Sequence, residues 1–475
     1  MVRYELGCSA LLTAPALTVN HLHAALAEPD LDPQLREDIA FRLAQALAHS
    51  DRLKEAAEMV GEESARTESR RGRLRLQAAH FLWQVFDAAE TGGPVRSRRL
   101  ARLAEHLAGR TEGERAVLCL RAWDATLRGE PAAVAVGAAD RALALEDAEP
   151  QAGGVRQAPP PGRPGRPLGY TDPDWGFELP SVAALSFMYA DRPDRAEEMF
   201  AAAIAECEQT GWSGAHLSFA FTLLGLVRFR RGRLGEAEEF AREGVRLADR
   251  VGRRVPAQWY AVGLLIDVLL SRGRLEEARE IAGAHEFGPP FPAAVVFPDP
   301  QTVLGRLLLA EGRHAAAAAE LTEVGRRMEA KGALNPTWCP WAGHLALALA
   351  GDDPAAARRL AEQTLERARR QGTATAVGQA LRTSAAVAAG PAEAVVLLQE
   401  AVEHLDRSPD AHEYAEALVD LGAALRATGR TAEAAEPLYR GADLAVRCAA
   451  DGLVERALAE LAAAGLRPRL LRTVD

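Results

Sequence analysis

Gly232-Arg233-Leu234-Gly235-Glu236-Ala237, Gly273-Arg274-Leu275-Glu276-Glu277-Ala278, Gly312-Arg313-His314-Ala315-Ala316-Ala317 and Gly429-Arg430-Thr431-Ala432-Glu433-Ala434 are four copies of one signature, Gly-Arg-x-x-x-Ala. Gly351-Asp352 with Ala356 and Gly390-Pro391 with Ala394 are variants that fall between them. From Gly232 to Gly429 these glycines step by 41, 39, 39, 39 and 39 residues, and a fixed period of that size marks a chain of stacked repeats. Apolar residues at helical spacing flank each turn: Leu217, Phe221, Leu224 and Val227 before Gly232, and Ala237, Ala241, Gly244 and Ala248 after it. Glycine ends the first helix because it takes the left-handed cap without strain, and the small residues that follow let the second helix pack close. The reading is all-α: an α-solenoid of about ten antiparallel helical hairpins.

Within three units the finer spacing resembles the tetratricopeptide pattern. Gly225, Gly232, Ala237 and Gly244 stand 7, 5 and 7 apart; Gly422, Gly429, Ala434 and Gly441 repeat this, with Leu438 between the last two; Gly305, Gly312, Ala317 and Leu321 match in part. The period exceeds the ~34 residues usual for that repeat. Longer helices and loops are therefore expected, with a more open or irregular superhelix. Fainter turns occur upstream at Ser50-Asp51-Arg52, Gly92-Gly93-Pro94, Gly129-Glu130-Pro131 and Asp191-Arg192-Pro193. Residues 149–172 include Pro159-Pro160-Pro161-Gly162-Arg163-Pro164-Gly165-Arg166-Pro167, a composition that buries little and reads as a mobile surface loop. The expected organisation is an N-terminal repeat lobe (1–148), this loop (149–172), a C-terminal repeat lobe (173–466) and a linker tail (467–475).

Composition narrows the function classes. A net charge of −10 and a pI near 5.7 argue against a generally basic nucleic-acid surface. Lys54 and Lys331 are the only lysines, so 54 of the 56 basic residues are arginine; the arginine clusters at 66–75 and 96–102 would suit a phosphate or an acidic partner, but an ordinary helix face in so lysine-poor a chain looks the same and is the reading preferred. Acidic pairs such as Glu197-Glu198, Glu238-Glu239 and Glu276-Glu277 open second helices and read as solvated caps favoured by the helix dipole. Cys8, Cys119, Cys207, Cys339 and Cys448 are scattered without CxxC spacing, which suits buried, inert thiols in a reducing compartment. The eleven histidines show no metal spacing, and no metal site is expected. With no hydrophobic run of membrane length and no signal-peptide pattern, a cytoplasmic protein without membrane contact is expected. Phosphate loops, dinucleotide loops, nucleophile elbows and zinc-protease motifs are all missing from the sequence, so the reading is not an enzyme, with no cofactor.

One constellation stands out. Five of the seven tryptophans lie between residues 175 and 341, and large rings recur near the starts of first helices: Trp175 and Phe177, Trp212 and His216, Trp259 and Tyr260, Phe297, then Trp338 and Trp341. If first helices line a concave groove, stacking would set these rings side by side as a ladder for a flat ligand or a peptide. The same rings would equally seal the joints between hairpins. Two proline-rich stretches lie beside them, Gly288-Pro289-Pro290-Phe291-Pro292 and Asn335-Pro336-Thr337-Trp338-Cys339-Pro340-Trp341, and they fix the backbone where helices begin.

Several stretches also resemble the helical-repeat region of the large ATP-binding regulators of the LuxR family, the actinobacterial, MalT-like ones. They are Asn335-Pro336 with Pro340-Trp341, Glu366-Arg367-Ala368-Arg369, Gly378-Gln379-Ala380-Leu381-Arg382, Ala417-Leu418-Val419-Asp420-Leu421-Gly422-Ala423-Ala424-Leu425-Arg426 and Ala464-Gly465-Leu466-Arg467-Pro468-Arg469, with Tyr4-Glu5-Leu6-Gly7-Cys8 and Pro256-Ala257-Gln258-Trp259-Tyr260 upstream. The resemblance implies the sensor region of a three-part transcriptional regulator, either as a fragment or as a stand-alone relative. A small-molecule or protein effector in the groove would be coupled to a nucleotide-binding switch and a helix-turn-helix domain, neither of which has its motif in this chain. ATP and DNA binding are expected only in a longer family member. The other expectation is a plain protein-interaction scaffold without a small-molecule site.

Overall fold

A computed structural model describes residues 2–11, 14–143, 169–171, 176–212 and 214–467. Among them run 23 α-helices. An opening pair, α1 (Val2–Ala10) and α2 (Pro15–Leu26), precedes ten hairpins. Their first and second helices are α3 (Pro33–His49) and α4 (Leu53–Arg66), α5 (Arg70–Phe86) and α6 (Gly93–Ala104), α7 (Glu112–Leu127) and α8 (Ala132–Leu143), α9 (Glu178–Met188) and α10 (Pro193–Thr210), α11 (Ala215–Phe229) and α12 (Leu234–Val251). The second five are α13 (Pro256–Arg272) and α14 (Leu275–Ala284), α15 (Pro300–Ala310) and α16 (His314–Lys331), α17 (Trp341–Leu349) and α18 (Pro354–Gln371), α19 (Ala374–Ala386) and α20 (Pro391–Leu405), α21 (Ala411–Ala427) and α22 (Thr431–Arg447). A final helix, α23 (Asp451–Ala463), closes the stack.

The recurring signature has a backbone explanation. Gly232, Gly273, Gly312 and Gly429 have φ between 72° and 83°, the left-handed cap. The following arginine donates its N–H to the carbonyl five residues back, Arg233 to Arg228, Arg274 to Leu269, Arg313 to Leu308 and Arg430 to Leu425. Its own carbonyl then accepts the first bond of the next helix, from the alanine four residues on. That alanine is fully buried at the crossing of the two helices in each case. Upstream, Asp51 (φ 61°) and Asp191 (φ 58°) take the glycine's place, and Arg52 and Arg192 close the same bond. Gly351 and Gly390 are exceptions, for neither adopts a positive φ.

The expected open superhelix is corrected by the structure: it is tightly wound. From the second hairpin to the fifth, each turn touches the chain that opens the hairpin five places later, and the sixth touches the chain that opens α23. Asp87 bridges Ala294 ahead of α15, and Asn335, ahead of α17, donates its backbone N–H to Leu127 (3.0 Å) and its side chain to Thr126 (2.8 Å). Thr375 at the start of α19 donates to Asp191 (2.9 Å), and Gln371 reaches the Tyr189 carbonyl (3.0 Å). Gly232 lies against the backbone of His412, and Arg272 donates to Ala449 just before α23 (3.1 Å). Asp51 adds a clamp, its carboxylate accepting the N–H groups of Ala293 and Ala294 (2.8 and 2.7 Å). Turn, loop and helix-end residues thus reach the neighbouring superhelical turn and satisfy polar groups there.

α9 packs directly on α7 and α8, and one apolar cluster extends from Leu11 to Ala348. Most of the 149–172 stretch lies outside the described residues; at its described end Tyr170 is buried against Phe177 and Thr171 is held by Glu206. The acidic pairs are not all solvated caps. Glu238 is buried and bound by Arg242, Arg272 and Arg274, so it ties one hairpin to the next. No helix among the described residues is long and apolar enough to cross a membrane.

Candidate functional site

The ring ladder is not a free groove, because the closed winding fills the axis with it. Phe177, His216, Trp259, Tyr260, Phe297, Trp338 and Trp341 are all buried; Trp212 is half-buried and Trp175 lies outside the described residues. Phe297 is the hub, in contact with Phe86 and Trp123 from the first superhelical turn and with Tyr260 and Trp338 from the second. Tyr260 continues the chain of rings to Phe219, which leads to His49, Phe177 and His216. Trp259 packs apart from this spine against Phe287 and against Phe291 of the first proline-rich stretch, under the Arg254 guanidinium.

Trp338 and Trp341 do border open space. A cavity of about 550 Å³ lies inside the C-terminal half of the superhelix. First helices of six successive hairpins wall it: Leu226 and Phe229 from α11, Asp267 and Ser271 from α13, Arg306 and Leu309 from α15, His344 from α17, Gln379 and Arg382 from α19, and Glu413, Glu416 and Asp420 from α21. That volume falls within the range of small-molecule sites. Asn335 shapes the rim by accepting bonds from the Thr337 and Trp338 N–H groups and the Thr337 hydroxyl, which explains the Asn-Pro-Thr-Trp stretch.

The lining is polar and of mixed sign. Arg382 faces Glu413, Glu416 (2.7 Å) and Asp420 (3.0 Å), and although burial works against its charge, these carboxylates hold its pKa well above the usual arginine value. Arg306 binds Asp267 (2.9 Å) and Ser271 (2.8 Å). Asp410 caps α21 by accepting the Glu413 N–H. Burial first, and then the neighbouring Glu413, push its carboxyl from 3.8 up to about 8, against the pull of Arg230. A raised folded-state pKa means that the fold prefers the protonated acid. Its stabilisation is whole below pH about 4 and is lost as pH rises through about 8. Asp410→Asn keeps the cap and removes the titration. The variant is expected to show a flatter decline of Tm than the parent across that window in calorimetry; an unchanged slope would assign the titration elsewhere.

A second cluster escaped the sequence reading, which expected no metal site. His49 at the end of α3, Glu178 at the start of α9 and His216 in the first turn of α11 bring one donor atom each within 4.8 Å of the others. They are 129 and 38 residues apart along the chain, so no local spacing signals them. As for other reactive groups, Cys119, Cys207, Cys339 and Cys448 are buried, and burial raises each thiol far above its ordinary pKa.

These features define a tetratricopeptide-like α-solenoid with a lumen cavity. It is similar to the APC/C hetero-tetramer Cut9–Hcn1 at 14% identity, with a TM-score of 0.32 and coverage of 95% of this chain and 90% of that chain. Yeast Tom70 is similar at 11% identity, with a TM-score of 0.32 and coverage of 97% and 95%. Likenesses this loose carry nothing about ligands or partners. No protein-family model and no curated protein matches the chain.

Proposed function

We propose that the chain is an effector-sensing and protein-interaction module of a LuxR-type, MalT-like transcriptional regulator, whose small-molecule effector occupies the lumen cavity. The observation that carries this reading is the cavity's wall, which comes from the fifth to the tenth hairpin and so spans one whole superhelical turn. A ligand touching Arg306, Trp338 and Arg382 together fits one pitch better than another, and that difference in affinity is what shifts a conformational equilibrium. The motif stretches around Asn335, Gly378 and Ala417 support the family, and under it a switch ATPase and a DNA-binding domain would belong to a longer chain. The mixed charge of the wall favours one alternative, a scaffold whose lumen holds a charged segment of a protein partner.

Tryptophan fluorescence and thermal unfolding against a panel of polar metabolites and charged peptides test this. An effector is expected to raise Tm, with the effect lost in Arg306→Gln and kept in Trp259→Phe, because Trp259 lies outside the cavity. A response to peptides alone would favour the scaffold. Metabolite hits that survive Arg306→Gln and Trp338→Phe would remove the cavity from the reading.

A further inference from the structure

We propose that His49, His216 and Glu178 form a binding site for a divalent transition-metal ion of the zinc class, which pins α3 to α9 and α11. Glu178 Oε1 lies 3.1 Å from His49 Nε2 and 3.7 Å from His216 Nε2. Donor atoms arranged tetrahedrally around Zn²⁺ at bond lengths of ~2.0–2.2 Å stand ~3.3–3.6 Å apart, so the spacing fits with small rotations of the rings. The donor set of two imidazoles and one carboxylate is one that holds Zn²⁺ or Fe²⁺ and leaves a coordination position open.

An independent observation points to a ligand. His216 is fully buried, its ring sandwiched between Trp212 and Phe177 with centroids 5.1 Å away on each side, and neither of its nitrogens has a hydrogen-bond partner. An imidazole buried in that state forgoes the hydrogen bonds it would make in water, a loss that a metal bond at Nε2 would offset. Gln45 donates to Glu178 Oε2 (3.4 Å) and itself accepts from Arg42 (3.0 Å), which turns Oε1 towards the imidazoles. A small apolar cavity of about 70 Å³ is bordered by two of the three ligands, His49 and Glu178, and by Phe177.

The three ligands come from the first, fourth and fifth hairpins, so a bound ion would tie the two ends of the first superhelical turn together. The site shares no residue with the lumen cavity, and its test stands apart from the effector reading. The purified full chain, stripped with a chelator, is titrated with Zn²⁺ by calorimetry and with Co²⁺ by visible absorption. One equivalent is expected, with a raised Tm and the d–d bands of four-coordinate Co²⁺ but no thiolate charge-transfer band. Since loss of an outer-shell partner alone costs about 10–100-fold in affinity, His216→Gln and Glu178→Gln are each expected to cost more than about 100-fold. Gln45→Met, which leaves all three ligands in place, should fall within that range and keeps the test open if either ligand variant fails to fold. Absence of binding, a six-coordinate or thiolate Co²⁺ spectrum, or affinities unchanged in all three variants would overturn the site.

Discussion

Asp124→Ala is expected to lower stability by about 3–5 kcal/mol, the range for removing one partner of a buried ion pair. Asp124 is almost wholly buried on α7, where one oxygen receives Arg96 (3.0 Å) and the other receives the Ser97 hydroxyl, with Arg121 at 3.8 Å. Arg96, on α6, is itself buried and shares Glu90 with Lys331 from the end of α16 (2.6 and 3.0 Å). Without Asp124, one buried carboxylate would face two buried cations across the seam between superhelical turns. Lys331 already has its pKa lowered by burial, with only Glu90 and the Asp87 backbone carbonyl to receive it. Urea unfolding followed by circular dichroism would show the loss as a shifted midpoint, with Asp124→Asn less affected because an amide still accepts from Arg96. A change below about 1 kcal/mol would mean that water enters the seam and screens these charges.

Lys331 shows where sequence reading stops. It is one of two lysines in a chain whose other basic residues are arginine, an oddity visible from composition, yet nothing local indicates that it is buried or that its partner lies 241 residues away. What the chain does make legible is local. The glycine cap, the arginine that closes it and the buried alanine are all encoded within six residues, so the hairpins and their period follow from the signature. Even the faint copies at Asp51 and Asp191 fold alike, because aspartate tolerates the left-handed position. The winding is set instead by contacts such as Asn335 with Leu127 and Thr375 with Asp191, whose partners are 208 and 184 residues apart. Each is a single hydrogen bond whose partner no period predicts. The winding in turn decides what the aromatic residues do. Trp338 and Trp341 border the cavity, while Phe177, Tyr260 and Phe297 are buried along the axis. The His49, Glu178 and His216 cluster follows from the same closure.

Phe297→Ala is expected to cost about 3–5 kcal/mol, the range for emptying a fully buried phenylalanine site. The position is informative because Phe297 belongs to no helix. It is carried by the loop ahead of α15, and four rings from α5, α7, α13 and the approach to α17 converge on it, all edge-on at centroid distances of 5.0 to 6.1 Å. Rings drawn from four hairpins cannot collapse into the space without shifting the hairpins themselves, so the cavity should remain and the cost should fall towards the upper end of the range. Edge-to-face contacts add to the loss beyond buried area. Phe297→Leu should recover much of the stability while losing the ring contacts. Because Phe86 and Trp123 stand on one superhelical turn and Tyr260 and Trp338 on the next, the alanine variant should also loosen the seam. Amide hydrogen exchange is expected to rise at Asn335, whose N–H crosses that seam to Leu127, more than at Arg430, whose N–H bond lies within one hairpin. Equal acceleration at both positions would mean that the stack unfolds as one unit; protection lost at Arg430 alone would contradict the role assigned to Phe297.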